Sequence, residues 1–247
     1  MRNNKSKGNL KYVPLSGNGS SIIQKAEKNN LRLMSYKELI NGILNVSFSE
    51  DEISELLSFN RKYYDTGDMI INNIDGECLI LLNNESSKDL LKLNSDLEII
   101  VKKPIDETPK ILKITKNGWF LGKTKEEALD RYETLKKKDN VLVVPKEEIE
   151  SSGRYKTQEE VLNSEVLRFL AQDDKLHKEY VKYVFSKLKE ENVELRAMPI
   201  FLDRCSFGIP EIGFIRFMRP IPFRAYVIRG GDANNKRYLF FGESKNK

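Results

Sequence analysis

Apolar residues recur every three or four positions from Val161 to Leu188, whereas between Met69 and Leu82 they bunch into short unbroken runs. The first pattern predicts helices and the second predicts buried strands. Leu162, Val166, Phe169 and Leu170 line one face of an expected helix. Beyond Asp173-Asp174, the residues Leu176, Tyr180, Val184 and Leu188 form a stripe that needs a packing partner. MIINNI and ECLILL, separated by Asp75-Gly76, predict two strands joined by a tight turn. LEIIVKK predicts another strand. ILKITKNGWFLG holds Asn117-Gly118 between two apolar runs, the strongest short-range hairpin signal in the chain.

Boundary residues sharpen this reading. Ser49 with Glu52, Thr124 with Glu127 and Thr157 with Glu160 each have capping-box spacing, in which side chain and backbone satisfy each other's free N–H groups. Helices are also expected at SIIQKAEKNN, SYKELINGIL and SSKDLLKL, with strands at LKYVPL and VLVVP. Toward the end, MPIFL, IGFIRFMR, FRAYVIR and KRYLFF predict strands, with GGDANN as a turn. The fold class is α+β: a helical N-terminal segment, an antiparallel α/β module, then a helical hairpin on a C-terminal antiparallel meander. Polar VPKEEIESSGRYK is the expected boundary. The chain divides into a basic tail and helical segment at 1–65, an α+β module at 66–150, and a helical hairpin with a basic, aromatic β-meander at 151–247.

Composition narrows the function classes. The 247 residues are 39% hydrophobic and 32% charged, a globular profile with room for a proper core. Apolar runs such as CLILL are too short to cross a bilayer, so no membrane contact is expected. The N-terminal stretch has no apolar segment of the secretory kind. Cys78 and Cys205 stand apart without a CxxC motif, which suits a reducing cytoplasm rather than a disulfide scaffold or zinc site. His177 is the sole histidine, leaving His-based triads and HExxH metalloenzymes almost nothing to work with. No catalytic residue, cofactor or metal site is therefore expected. His177 itself, among Lys175, Lys178 and Glu179, is expected in solvent. Asp173-Asp174 complements a helix start.

The net charge of +5 is concentrated. From Arg204 to the end, six arginines and three lysines face only Glu211, Asp232 and Glu243, so the remainder is about neutral. Arginine prevails there, and its planar fork grips phosphate and stacks on rings as lysine cannot. Strand alternation sets Phe214, Arg216, Tyr226 and Tyr238 on a face opposite Ile215, Ala225 and Leu239. GFIRF matches the tail of an RNA-recognition consensus, without its leading half. Phe214, Tyr226 and Tyr238 are expected to stack on bases, with Arg216, Arg219, Arg224 and Arg229 on phosphates. RNA or single-stranded DNA is the expected partner. The alternative is a structural or interaction protein whose same face packs its own domains or a protein partner, arginine stems lying over rings.

SGNGSS is a secondary candidate. Gly17, Gly19, Ser20 and Ser21 precede a helix, where free N–H groups and the helix dipole favour phosphate, as a nucleotide-binding enzyme would require. The spacing is neither GxxxxGK[ST] nor GxGxxG, and a helix-capping serine explains the same letters.

RLMSYKEL and GRYKTQEEVLNSEVLRFLAQDDKLHKEYVKYVF resemble segments recurring in an uncharacterised archaeal protein group. The resemblance extends over about a third of the chain and includes no catalytic motif. The resemblance implies a prokaryotic, cytoplasmic setting and assigns no functional residue.

Overall fold

A computed structural model describes residues 12–17, 19–45, 48–51, 53, 64–72, 76–83, 94–105, 108–145, 157–190, 197–198, 201–202, 210–216, 219–221, 224–226, 229–230 and 238–244. Strand β1 (Tyr12–Gly17) leads to helix α1 (Gly19–Lys28), β2 (Leu31–Leu33) and α2 (Tyr36–Leu44). Next come β3 (Tyr64–Asn72), β4 (Glu77–Leu81), β5 (Asn94–Ile105), β6 (Thr108–Trp119), α3 (Lys125–Lys136) and β7 (Val141–Pro145). Three helices follow: α4 (Gln158–Leu162), α5 (Glu165–Ala171) and α6 (Asp174–Glu190). Short strands complete the described chain: β8 (Ala197–Met198), β9 (Phe201–Leu202), β10 (Glu211–Arg216), β11 (Arg219–Ile221), β12 (Arg224–Tyr226), β13 (Arg229–Gly230) and β14 (Tyr238–Ser244). The class is α+β.

A seven-stranded sheet runs β1-β14-β3-β4-β7, with β10 added to β3 and β2 to β14. Its strands come from all three segments into which the sequence divides, and β3 itself spans the division at residue 65. Alternation explains why its inner strands are apolar almost throughout. Ile70, Cys78, Ile80 and Ile215 enter one core with α2 and the α4–α6 helices. Their neighbours Met69, Ile71, Leu79, Leu81 and Ile212 enter a second core with α1 and α3. Both faces are covered, so both registers of each strand are hydrophobic.

Local signals fix the helices. Ser35 and Glu38 complete a capping box at α2 that the sequence reading passes over. Thr157 and Glu160 complete the one expected at α4. Thr124 caps α3, but the Glu127 carboxylate accepts from the Lys123 N–H, so that box is only half formed. The helix expected through Leu162 and Leu170 is broken in two. Ser164 restarts it by accepting the Leu167 N–H, and Gln172 closes α5 in the left-handed conformation at φ 53°. The stripe Leu176, Tyr180, Val184 and Leu188 on α6 is buried as expected. Gly76, at φ +91°, supplies the turn before β4.

The hairpin expected at Asn117-Gly118 is overturned. β5 and β6 pair along their full length from Asn94–Trp119 to Ile105–Thr108, so Asn117 and Gly118 lie inside β6 opposite Asp96 and Ser95. The apolar run after the pair is too short to return as a strand. Its Phe120 and Leu121 are instead buried in the core beneath α3. The helix expected at SSKDLLKL, the Glu52 half of the Ser49 box, Asp75, the boundary residues 146–156, Cys205 and the turn after Gly230 lie outside the described residues.

Candidate nucleic-acid interface

The strand that carries Phe214 and Arg216 is held by a buried polar network. β3 opens with Tyr-Asp-Thr-Gly-Asp, an unusual start for a strand at the centre of a sheet, and Asp65, Thr66 and Asp68 are all buried. The Thr66 hydroxyl donates to the Ile215 carbonyl at 2.9 Å and accepts the Asp68 N–H at 3.2 Å. Asp68 accepts the Tyr36 N–H at 2.5 Å on one oxygen and the Asn83 N–H at 2.7 Å on the other. Asn83 donates from its side-chain amide to the Leu33 carbonyl at 2.7 Å, and the Gly67 N–H reaches the Met34 carbonyl at 2.8 Å. These bonds satisfy groups that would otherwise be buried without partners. They also tie the β2–α2 junction, the end of β4 and β10 to one strand.

The electrostatics follow from burial. Desolvation pushes the Asp68 carboxyl up to about 6, although the Tyr36 and Asn83 N–H groups pull it down. The charge of Glu38 adds to the rise. Burial, and then the charge of Asp68, holds the Tyr36 phenol well above the usual tyrosine range. Ile215 lies between Phe214 and Arg216, where the β10–β3 register shifts. Thr66 thus grips β10 at its irregularity, a common device for redirecting a strand.

The seven residues expected to meet nucleic acid are distributed over three sheets, because β10 pairs with β3 rather than with β11. In the central sheet Phe214 lies opposite Met69, Arg216 opposite the buried Asp65, and Tyr238 opposite Gly17. In a three-stranded sheet Arg219 lies opposite Tyr226 and Arg224 opposite Ile221. Arg229 pairs in parallel with Phe201 in a two-stranded sheet. β13 lies beside β10 and β3, so the backbone of Arg229 approaches the strand of Phe214 and Arg216. β11 and β12 lie against α6. Two groups therefore form: Arg219, Arg224 and Tyr226 on one strand pair, and Phe214, Arg216 and Arg229 on neighbouring strands. Tyr238 belongs to neither and meets the glycine loop instead.

At that loop Gly17 ends β1 at φ 152°, and α1 begins at Gly19, placing Ser20 and Ser21 within its first turn. Both serines are thus inside the helix and not its cap. Lys25, later in α1, folds back so that its ammonium donates to the Ser16 carbonyl, a contact the letters SGNGSS do not disclose.

His177 corrects an expectation. It is buried, 1% exposed, with Nε2 3.2 Å from the Leu162 carbonyl. α6 presents that position to α4, so its charged sequence neighbours mislead. Burial holds the imidazole below the usual histidine value. Asp173 accepts the Lys175 and Leu176 N–H groups at 2.8 and 3.0 Å, which, the Leu176 bond foremost, hold its carboxyl low. Asp174 forms a two-pronged bond with Arg168 at 2.8 and 3.0 Å. The pair thus serves the helix start. Among the described residues no group of three or more His, Cys, Asp or Glu side chains could hold a metal ion, and no helix is long and apolar enough to cross a membrane.

No protein-family model matches the chain, and no curated protein matches it. A solved structure described as "Accommodation of massive sequence variation in Nanoarchaeota by the C-type lectin fold" aligns with a TM-score of 0.57 over 94% of this chain and 96% of that one. The likeness is one of fold, and at 14% identity it extends no residue roles.

Proposed function

We propose that the protein is a non-enzymatic cytoplasmic binding protein that contacts RNA or single-stranded DNA through its C-terminal basic, aromatic strands. The observation that carries this reading is the β11–β12 register, which makes Arg219 and Tyr226 direct cross-strand neighbours with Arg224 two residues away. A guanidinium for phosphate beside a ring for a base is the pairing that single-stranded recognition uses. β10 and β13 add Phe214, Arg216 and Arg229 on adjacent strands. A fold that in its solved neighbour accommodates massive sequence variation suits a binding role, since contact residues can change while the frame stays.

Replacing Arg216 and Arg224 by alanine tests the proposal. Retention of RNA and DNA oligomers at low salt should fall sharply, and native binding should weaken steeply as salt rises because phosphate contacts release counterions. Unchanged retention refutes the reading.

A second reading takes the same strands as a structural face that packs the chain's own segments or a protein partner. The buried Asp65 opposite Arg216 favours it, since it sets an acid across from an arginine within the sheet. Copurification of nuclease-sensitive material absorbing at long ultraviolet wavelength decides for nucleic acid, and salt-stable association with protein decides against it. The glycine loop as an enzyme's nucleotide site ranks below both. Its test is thermal stabilisation by a nucleotide panel.

A further inference from the structure

We propose that helix α6 presents a second polyanion-binding surface, a line of lysines that docks along the phosphate backbone of duplex nucleic acid. Lys175, Lys178, Lys182, Ser186 and Lys189 are all exposed. Their spacing of three, four, four and three residues keeps them within an arc of about 80° and spreads them over about 21 Å of helix. The neighbouring acids are engaged elsewhere or held only loosely. Asp174 is clasped by Arg168 at 2.8 and 3.0 Å, and Glu190 by Lys187 at 2.7 Å. Glu179 comes no nearer than 3.9 Å to Lys175. Lys178, Lys182 and Lys189 have no ion pair among the described residues.

The chemistry of this face selects its partner. A membrane-binding helix inserts an apolar face into the lipid boundary. The apolar face of α6 is already spent: Tyr180, Val181 and Val184 are wholly buried, with Leu176 and Leu188 beside them. A protein interface would need aromatic or aliphatic anchors at its centre. The exposed stripe has none, only ammonium groups and one hydroxyl. Lysines act as point charges on phosphate without reading sequence. A straight, rigid row of them matches the dense, regular charge of a duplex, one per about 1.7 Å of axis.

The surface does not rest on the C-terminal arginines, and the test separates the two. Lys178, Lys182 and Lys189 are changed together to glutamine in the full chain, with Lys125, Lys137 and Lys138 near α3 changed likewise as a control. Binding of a random-sequence DNA duplex is followed against salt. The α6 variant should keep the native thermal melt and lose at least about tenfold in affinity at low salt. Its slope of log affinity against log salt should flatten by about 3, since each lost phosphate contact removes about 0.9. The control should leave the slope unchanged, and Arg216→Ala with Arg224→Ala should leave the α6 contribution intact. An unchanged slope in the α6 variant overturns the proposal. So does a loss confined to vesicles of anionic phospholipid, or an equal loss in the control.

Discussion

The Asp68 carboxylate accepts the backbone N–H of Tyr36 at 2.5 Å from a position wholly shielded from water. Tyr36 opens α2 directly after the Ser35 cap, so this bond satisfies one of the free N–H groups at a helix start. The second oxygen holds the Asn83 N–H at 2.7 Å, just beyond the end of β4. One carboxylate therefore closes two chain segments onto β3. The same strand, through Thr66, carries β10.

The shift of Asp68 sets a pH dependence. Its folded value of about 6 lies above the ordinary aspartate value near 4. Between these values the native state keeps a proton that the unfolded chain releases, so stability falls as pH rises. The contribution is complete below about pH 4, is lost by about pH 6, and amounts to about 3 kcal/mol over that window. Urea unfolding at a series of pH values should show this decline as the difference between the native protein and Asp68→Asn. The substitution itself should cost about 1–3 kcal/mol at neutral pH, because one N–H loses its acceptor. An identical decline in the variant would contradict the assignment.

Much of the fold is legible in the letters, and the exceptions have physical causes. The stripe from Leu176 to Leu188 is regular because α6 packs along its whole length, so periodicity alone finds it. Ile70 and Ile80 read as strands because both sheet faces are covered. The pairing of β1 with β14 joins residues more than two hundred positions apart, and no local signal encodes it. β3 begins earlier than its apolar run because its first residues are buried for polar reasons, as Asp68 shows. His177 misleads because exposure depends on which helix face meets α4 and not on sequence neighbours. The candidate residues stand out by composition, but their division among β10, β11–β12 and β13 follows from the pairing of β10 with β3, which no local signal encodes.

His177 gives a second pH dependence of opposite sign. Burial lowers its folded value below that of the unfolded chain, where histidine titrates near 6.5. As pH falls below that value the unfolded state takes up the proton first. The contribution is thus full above about 6.5 and is lost on acidification through the folded value. With a single histidine in the chain, its ring-proton NMR signal is unambiguous. The midpoint should lie below 6.5, and the difference in stability between the native protein and His177→Leu should shift against the native protein as pH falls below 6.5. A midpoint at or above 6.5 would place the ring in water.

Thr66 should matter more through its hydroxyl than its shape. Thr66→Val keeps the volume but strips partners from the Ile215 carbonyl and the Asp68 N–H, both in the interior. A loss of about 1–3 kcal/mol is expected, with Thr66→Ser recovering much of it. Amide exchange along β10 should quicken in the valine variant more than along β4, whose ladder to β7 does not involve Thr66. Equal change in the two strands would mean that Thr66 does not anchor β10 specifically.

Gly42 is required by a contact and not by its backbone angles. It lies inside α2, where glycine costs up to about 1 kcal/mol relative to alanine. A Cβ there would sit 2.0 Å from the Phe48 ring, which is buried at 1% exposure and packed against Tyr12 at a centroid distance of 4.3 Å. Helix propensity and packing thus pull in opposite directions. The packing effect is the larger, because overfilling a tight core costs about 1–3 kcal/mol and this ring has no open side. Gly42→Ala should therefore lower the unfolding midpoint despite its better propensity. Adding Phe48→Leu should recover part of that loss, making the two substitutions less than additive. If the double variant is as unstable as the two single losses combined, the ring is not what excludes the methyl group.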